Sequence, residues 1–410
     1  MKKNCIFTIC AKNYLAQALT LKESVLKYND VDFFLFLSDK KTEEIGDVDC
    51  IELNESWMPK YHQLAYLYNV IEFSTAVKPF AFLKVMGIGY EKIMYLDPDI
   101  YCVDSLDYIL DKLETKSCVL SPHYNTIMES SFNGAVPEET FLKDGVFNLG
   151  FVALKNNRVG RSIAQWWADR LTSKCFSDIF RGYFTDQKWM DFIPCFYSEE
   201  LYVCRHPGVN IAIWNLHERT ISLTDDNRYE VMMSKCSERF PLLFYHFSGF
   251  DPFDRTVINR RHQEYNIHTY PYLKVLLNEY ADTIYKNGYE RFCKMVYSYN
   301  YYDDNTKILP LHRRLYAEYV DFDSNPFASN SLFKEHLKSA KLLVNKKSKD
   351  GKEVSSNLTE VQSKGRIDGM VQKLLKLILL LFGVEKYSWM IRLMTKYAKQ
   401  ENHNFLIRNK

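Results

Sequence analysis

The stretch KIMYLDPDIY (92–101) delivers two aspartates, one residue apart, at the end of an apolar run. Aspartate disfavours strand interiors, and two carboxylates this close repel unless positive charge sits between them. A turn, a helix cap or a divalent cation would each explain the pair. The spacing alone does not choose, because Asp-x-Asp occurs four times, at Asp30/Asp32, Asp47/Asp49, Asp97/Asp99 and Asp321/Asp323. The copy at 97–99 stands apart because an apolar strand leads into it and Pro98 stiffens the turn. There Asp97 and Asp99 can hold a hard divalent ion through oxygen, alongside phosphate oxygens of a ligand.

Three further segments have chemical potential. FNLGF (147–151) sets Asn148 and Gly150 inside an apolar run. Either Gly150 marks a strand bulge with Asn148 bonded to backbone, or the glycine admits a ligand and the amide meets sugar hydroxyls. TDQKWMDF (185–192) reads on its own as a helix start, with Thr185 as cap and Asp186 and Gln187 in the first turn. YHFSGF (245–250) places His246 at a strand end before Ser-Gly. A lone histidine of this kind is a structural hydrogen-bonder, or an imidazole completing a mixed N/O site for a manganese-like ion.

The elements that must position these residues follow from periodicity. CIFTIC (5–10), FFLFL (33–37), CIEL (50–53), KIMYL (92–96), SCVLS (117–121), FNLGFVAL (147–154) and LLFYHF (242–247) predict strands. Residues 14–29 predict a helix that Asn13 could cap, 62–87 two helices broken near Pro79, and 160–172 a helix carrying Trp166 and Trp167. This order predicts an α/β fold with a mostly parallel sheet, in which ligands bind beyond the carboxyl ends of the strands. Asp97 and Asp99 follow directly on such an end. Beyond residue 255 the chain turns helical and rich in Tyr, Lys and Arg; 345–365 is polar and reads as a linker.

Composition bounds the rest. At 410 residues and 47% hydrophobic the chain can bury a large core, and its net charge of +2 points to no nucleic-acid partner. Ten cysteines without CxxC or Cys/His clustering suggest a reducing cytoplasm, and the apolar run after MKKN is too short for a signal peptide. Charge gathers at one end: from Arg366 to Lys410, nine Lys/Arg face three Asp/Glu. Residues 366–400 join an apolar block to Lys373, Lys376, Lys386, Arg392, Lys396 and Lys399. Two readings stay open: a helical pair packed on the domain, or a basic amphipathic tail on anionic lipid.

Taken in order, YLDPD, FNLGF, DQ and HFSG resemble the GT-A glycosyltransferases, specifically family 8 and its bacterial polysaccharide and lipooligosaccharide relatives, over roughly residues 5–250. TAVKPF (75–80), NIAIWNLHER (210–219) and YSYNYYDDNTKILPLHRRLY (297–316) are similar to segments of bacterial transferases. The resemblance implies a GT-A mixed sheet flanked by helices over 1–254, a helical extension over 255–344, the linker and the tail 366–410. It implies a nucleotide-sugar donor (a UDP-sugar foremost), Mn²⁺ or Mg²⁺, and a glycan or lipid-linked acceptor at the cytoplasmic membrane face. Asp97, Asp99 and His246 match the family's metal ligands. Asn148, with Gly150, matches a sugar contact, and Asp186 and Gln187 the pair beside the anomeric carbon. The strand-one end, Thr8 to Asn13, would lie under the base and ribose, and Lys78 near the diphosphate. The family's Lys-Pro-Trp run after HxxG is missing: the chain reads HFSGFDPFDR, leaving Lys78 or Arg255 as candidates for the diphosphate. Retaining same-face attack is expected; in an inverting enzyme Asp186 would instead be the base.

Overall fold

The computed structural model describes residues 2–129, 131–132, 134, 136–234, 236–343 and 365–407. The chain divides into two units, residues 1–61 with 70–298, and residues 62–69 with 299–410. The expected boundary at 254 is therefore displaced. Leu273, Leu276, Leu277 and Tyr280 belong to the same apolar core as Leu15 and Leu35, which draws residues up to 298 into the first unit.

The first unit is built on a seven-stranded sheet. Its strands are β1 (Asn4–Cys10), β2 (Asp32–Leu37), β3 (Ile51–Glu52), β4 (Lys92–Leu96), β6 (Cys118–Pro122), β7 (Phe147–Lys155) and β10 (Leu201–Val203). Their spatial order is β10-β6-β7-β4-β1-β2-β3. β5 (Ile100–Cys102) pairs separately with β14 (Phe244–His246); β8 (Ser177–Asp178) and β9 (Tyr183–Phe184) form a small hairpin. β11 (Arg219–Leu223), β12 (Tyr229–Met233) and β13 (Arg239–Pro241) make an antiparallel sheet. β1, β4 and β7 are buried almost end to end, which is why they read as unbroken apolar runs.

Direction is what the runs do not reveal. β1 is parallel to β2 and β4, but β7 runs antiparallel to both β4 and β6. The start of β7, with Asn148 and Gly150, therefore enters the sheet at the carboxyl end of β4. The Asp97 amide closes that junction on the Gly150 carbonyl at 2.7 Å. Toward β4 the pairing runs in register to Leu96↔Phe151, while toward β6 the register shifts between Leu120↔Val152 and Pro122↔Phe147, an irregularity that spans Gly150 as the bulge reading expects.

Helices cover the sheet: α1 (Leu15–Tyr28), α4 (Lys78–Ile88), α5 (Asp107–Thr115), α6 (Glu138–Asp144) and α7 (Arg158–Lys174), with α9 (Lys274–Lys286) against α1. Asn13 caps nothing. It lies in a 3-10 turn, Lys12–Tyr14, and Tyr14 precedes α1 without a side-chain bond. Pro79 opens α4 instead of breaking a helix, as suits its fixed φ. The ten cysteines are all free thiols.

In the second unit, α11 (Pro310–Tyr316) packs on the 3-10 segment Gln400–Leu406, and α12 (Leu332–Ser339) takes its N-cap bond from Ser331. The long helix α13 (Gly365–Ala398) is interrupted at Gly383, whose φ of 76° is left-handed. Its apolar block is uncovered: Leu380 is 83% exposed, and Met370, Leu381 and Trp389 are exposed as well. No helix among the described residues is long and apolar enough to cross a membrane. The linker expected at 345–365 lies outside the described residues except for Gly365.

Candidate metal and donor site

Asp97-Pro98-Asp99-Ile100 is a β-turn, closed by the Ile100 amide on the Asp97 carbonyl at 3.1 Å, with proline at the position where its φ is already set. The turn feeds β5, whose partner β14 sets His246 opposite Ile100. The Phe247 amide then bonds the Asp99 carbonyl at 2.8 Å. His246 Nε2 lies 3.2 Å from Asp99 Oδ1 and 3.8 Å from Asp97 Oδ2. Among the described residues this is the group whose ligand atoms all fall within 4.8 Å of one another.

Each member is aimed by a neighbour. The Tyr95 hydroxyl donates to Asp97 Oδ1 and Lys78 Nζ sits 3.5 Å from the same oxygen, which leaves Oδ2 toward His246. His246 Nδ1 donates to Asn210 Oδ1 at 3.3 Å, and Asn210 Nδ2 donates to Asn148 Oδ1 at 3.1 Å. In the neutral ring that chain leaves the Nε2 lone pair toward the carboxylates, the outer-shell support expected of a ligating imidazole. Trp214 meets the His246 ring edge-on at 5.2 Å. Burial disfavours the imidazolium, but Asp99 and Asp97 outweigh it and raise the His246 pKa. The reciprocal attraction, against the cost of burial, holds Asp99 below the usual carboxylate range. Two carboxylates and a held imidazole in this arrangement suit a divalent ion of the Mn²⁺ or Mg²⁺ type.

Gly150 has a steric reason. A Cβ there would stand 2.4 Å from His246 Cε1 and 2.9 Å from Asn148 Oδ1. Asn148 accepts from the Gly150 amide at 3.1 Å, so its side chain is bonded to backbone and to Asn210 together.

Behind the carboxylates lies an internal ion pair. Lys78, only 2% exposed, reaches Asp186 Oδ2 at 3.0 Å and the Leu149 carbonyl at 2.9 Å, with Tyr95's ring 4.4 Å away. Lys78, expected near the diphosphate, is thus engaged by Asp186 and the Leu149 carbonyl. Burial lowers its pKa and Asp186 and Asp97 reverse that, so the ammonium is retained. Burial pushes the Asp186 carboxyl up against the pull of Lys78. Trp167 Nε1 holds the Asp186 carbonyl at 3.1 Å. Thr185 is not a helix cap: it adopts φ 45° and its hydroxyl donates to Asp186 Oδ1. Gln187 is also committed. Its Oε1 accepts from the Leu149 amide at 3.0 Å and its Nε2 donates to the Asp144 carbonyl at 2.8 Å, pinning the start of β7.

Thr8 is fully buried inside β1, where a ribose cannot reach it; Lys12 and Asn13 follow at the strand end. The residues missed from sequence are Tyr95, Asn210 and Trp214. The segment NIAIWNLHER contained two of them without indicating their roles. The other Asp-x-Asp copies are plain surface chemistry: Asp30 pairs with Lys2, Asp49 with Lys22, and Asp323 accepts the Leu332 and Phe333 amides.

No family model matches the chain. Two Bacillus subtilis (strain 168) proteins of uncharacterized function are similar to it. YfnF is 26% identical over 259 residues, 59% of this chain and 80% of its own length; YfnD is 24% identical over 255, covering 59% and 76%. Among solved structures, the galactosyltransferase LgtC with donor and acceptor sugar analogs is 16% identical at a TM-score of 0.40, covering 68% of this chain and 95% of its own. GlyE, a glycosyltransferase of Streptococcus pneumoniae TIGR4, is 14% identical at 0.36, covering 73% and 67%. Mouse xyloside xylosyltransferase 1 is 14% identical at 0.31, covering 51% and 88%. At such scores the functional argument rests on the site itself.

Proposed function

We propose that the protein is a metal-dependent glycosyltransferase that moves a hexose from a nucleotide-diphosphate sugar to a cell-surface polysaccharide or glycolipid precursor. The observation that carries this reading is the convergence of Asp97, Asp99 and His246 at the carboxyl end of β4. A divalent ion bound there would neutralise charge developing on the departing diphosphate. The aspartates act as ligands; neither is free to serve as a base. Tyr95 and Asn210 keep the ligand atoms converged before the donor arrives, so little reorganisation is left for the reaction.

Asp186 favours the retaining course. A general base must reach the acceptor hydroxyl, whereas Asp186 is buried and paired with Lys78 at 3.0 Å. Its role is to place negative charge beneath the sugar while Lys78 balances it. Gln187 positions Asn148 and Gly150 through the Leu149 amide.

The uncovered apolar and basic residues of α13 support the interfacial reading of the tail, with a lipid-linked acceptor at the cytoplasmic face. Flotation with anionic vesicles, set against purely zwitterionic ones, tests it; equal recovery from both would remove the electrostatic part of the proposal.

The test of the activity is a donor screen. Protein is incubated with UDP-, GDP-, CMP- and dTDP-sugars in Mn²⁺ or EDTA, and free nucleotide is followed. Metal-dependent release from one donor, a UDP-sugar on this reading, is the expected result. With an acceptor in hand, the product anomer read by NMR decides retention. No turnover and no Mn²⁺-dependent nucleotide binding would leave a non-catalytic protein.

A further inference from the structure

A departing nucleoside diphosphate is a multiply charged anion, and the first-unit site described above has little positive charge to spare. Asp97 and Asp99 balance a divalent ion, and Lys78 is used by Asp186. Arg255, the other candidate from sequence, is tied to Asp282 at 2.7 Å. The charge must come from elsewhere in the unit.

The loop after His246 supplies it. Gly249 turns with φ 74°, and a Cβ there would stand 2.7 Å from Asn259 Nδ2. Asn259, buried, donates to the Ser248 carbonyl at 2.7 Å and accepts from the Arg261 amide at 2.8 Å and the His262 amide at 3.2 Å. The Arg260 amide bonds the Gly249 carbonyl at 3.0 Å. Residues 259–262 are thereby stitched to the Ser-Gly that follows the metal-ligating histidine. Arg260 and Arg261 are exposed, and among the described residues neither guanidinium has an ion pair or hydrogen bond. The backbone of both arginines is thus held against Ser248 and Gly249, just after His246.

We propose that Arg261, with Arg260 beside it, grips the diphosphate of the donor and of the nucleotide product, in place of the lysine missing after HFSG. The inference rests on the proposed transferase reading and deepens it. A guanidinium fork suits phosphate oxygens better than a point-charge ammonium. It is set on a loop whose backbone Asn259 fixes, so only the side chain remains to be ordered on binding.

The test is nucleotide binding in Mn²⁺ by calorimetry, using UDP, GDP, CDP and dTDP and the matching monophosphates. The full chain, Arg261→Gln and Arg260→Gln/Arg261→Gln are compared, with thermal unfolding to confirm that each folds. Arg261→Gln is expected to weaken the diphosphate about tenfold to a hundredfold, to affect the monophosphate less, and to leave Mn²⁺ affinity unchanged; Arg261→Lys recovers part of the loss. Diphosphate binding equal to wild type in the double variant overturns the inference and leaves the transferase reading standing. If the unaltered protein binds no nucleotide, the transferase reading fails and takes this inference with it.

Discussion

Two charge centres, one in each unit, show opposite arrangements: one is buried, the other half-exposed. In the second unit the Arg313 guanidinium is saturated by oxygen. It donates to the carbonyls of Ala65, Tyr66 and Tyr68 at 2.9, 2.7 and 2.7 Å, and to the Tyr299 carbonyl and Asn300 Oδ1 at 2.6 and 3.1 Å. In the first unit, Asp97, Asp99 and His246 are brought together with their oxygen and nitrogen atoms turned toward one another. Saturated charge holds a fold together, while convergent and partly exposed ligand atoms are kept for a cation. Arg313 thus gives a structural role to the segment ending LHRRLY.

Crossing the two centres by mutation should separate stability from activity. The largest effect is expected from Asp97→Asn/Asp99→Asn: metal-dependent donor hydrolysis falls at least about a hundredfold, while the unfolding midpoint drops only modestly, as the attraction between Asp99 and His246 is lost. A large drop in stability would make the aspartates structural. Arg313→Met should do the reverse, costing about 3 kcal/mol or more in urea unfolding because several carbonyls lose their donor. Donor hydrolysis measured below its unfolding midpoint is expected to survive.

The wall beneath the metal cluster sharpens the contrast through pH. Burial lowers the His123 pKa to about 4, and its neutral ring donates from Nδ1 to the Val146 carbonyl. The unfolded chain takes up that proton near pH 6.5, so stability falls as pH drops from 6.5 toward 4, by up to about 3 kcal/mol. Measured against His123→Gln, the wild-type advantage should shrink across that window; a constant difference would mean His123 does not titrate with folding.

A smaller effect is expected from Gly150→Ala. The added Cβ must push His246 aside, which should weaken Mn²⁺ about tenfold to a hundredfold with the strand pairing intact. Unchanged affinity would mean that the imidazole is not a ligand.

Much of this was legible in the sequence, and unevenly. The buried strands announced themselves as apolar runs, and Pro98 between two aspartates marked the turn that ends β4. The direction of β7 was not legible, because a strand buried on both faces carries no sign of which way it runs. That one unknown concealed why Gly150 touches His246. The surroundings of Lys78 were hidden for a related reason. Its partners Leu149 and Asp186 are far away in the chain, and only burial turns a cation that could hold phosphate into one that holds a carboxylate. The bonds of Gln187 were equally hidden, since both ends of its amide meet backbone far away in the chain.

The most direct measurement is a Mn²⁺ titration of the full chain followed by electron paramagnetic resonance, with and without nucleoside diphosphate, beside Asp97→Asn/Asp99→Asn. The account predicts a saturable site that nucleotide tightens and that the double variant lacks while still folded. Equal Mn²⁺ binding by the folded double variant would contradict it.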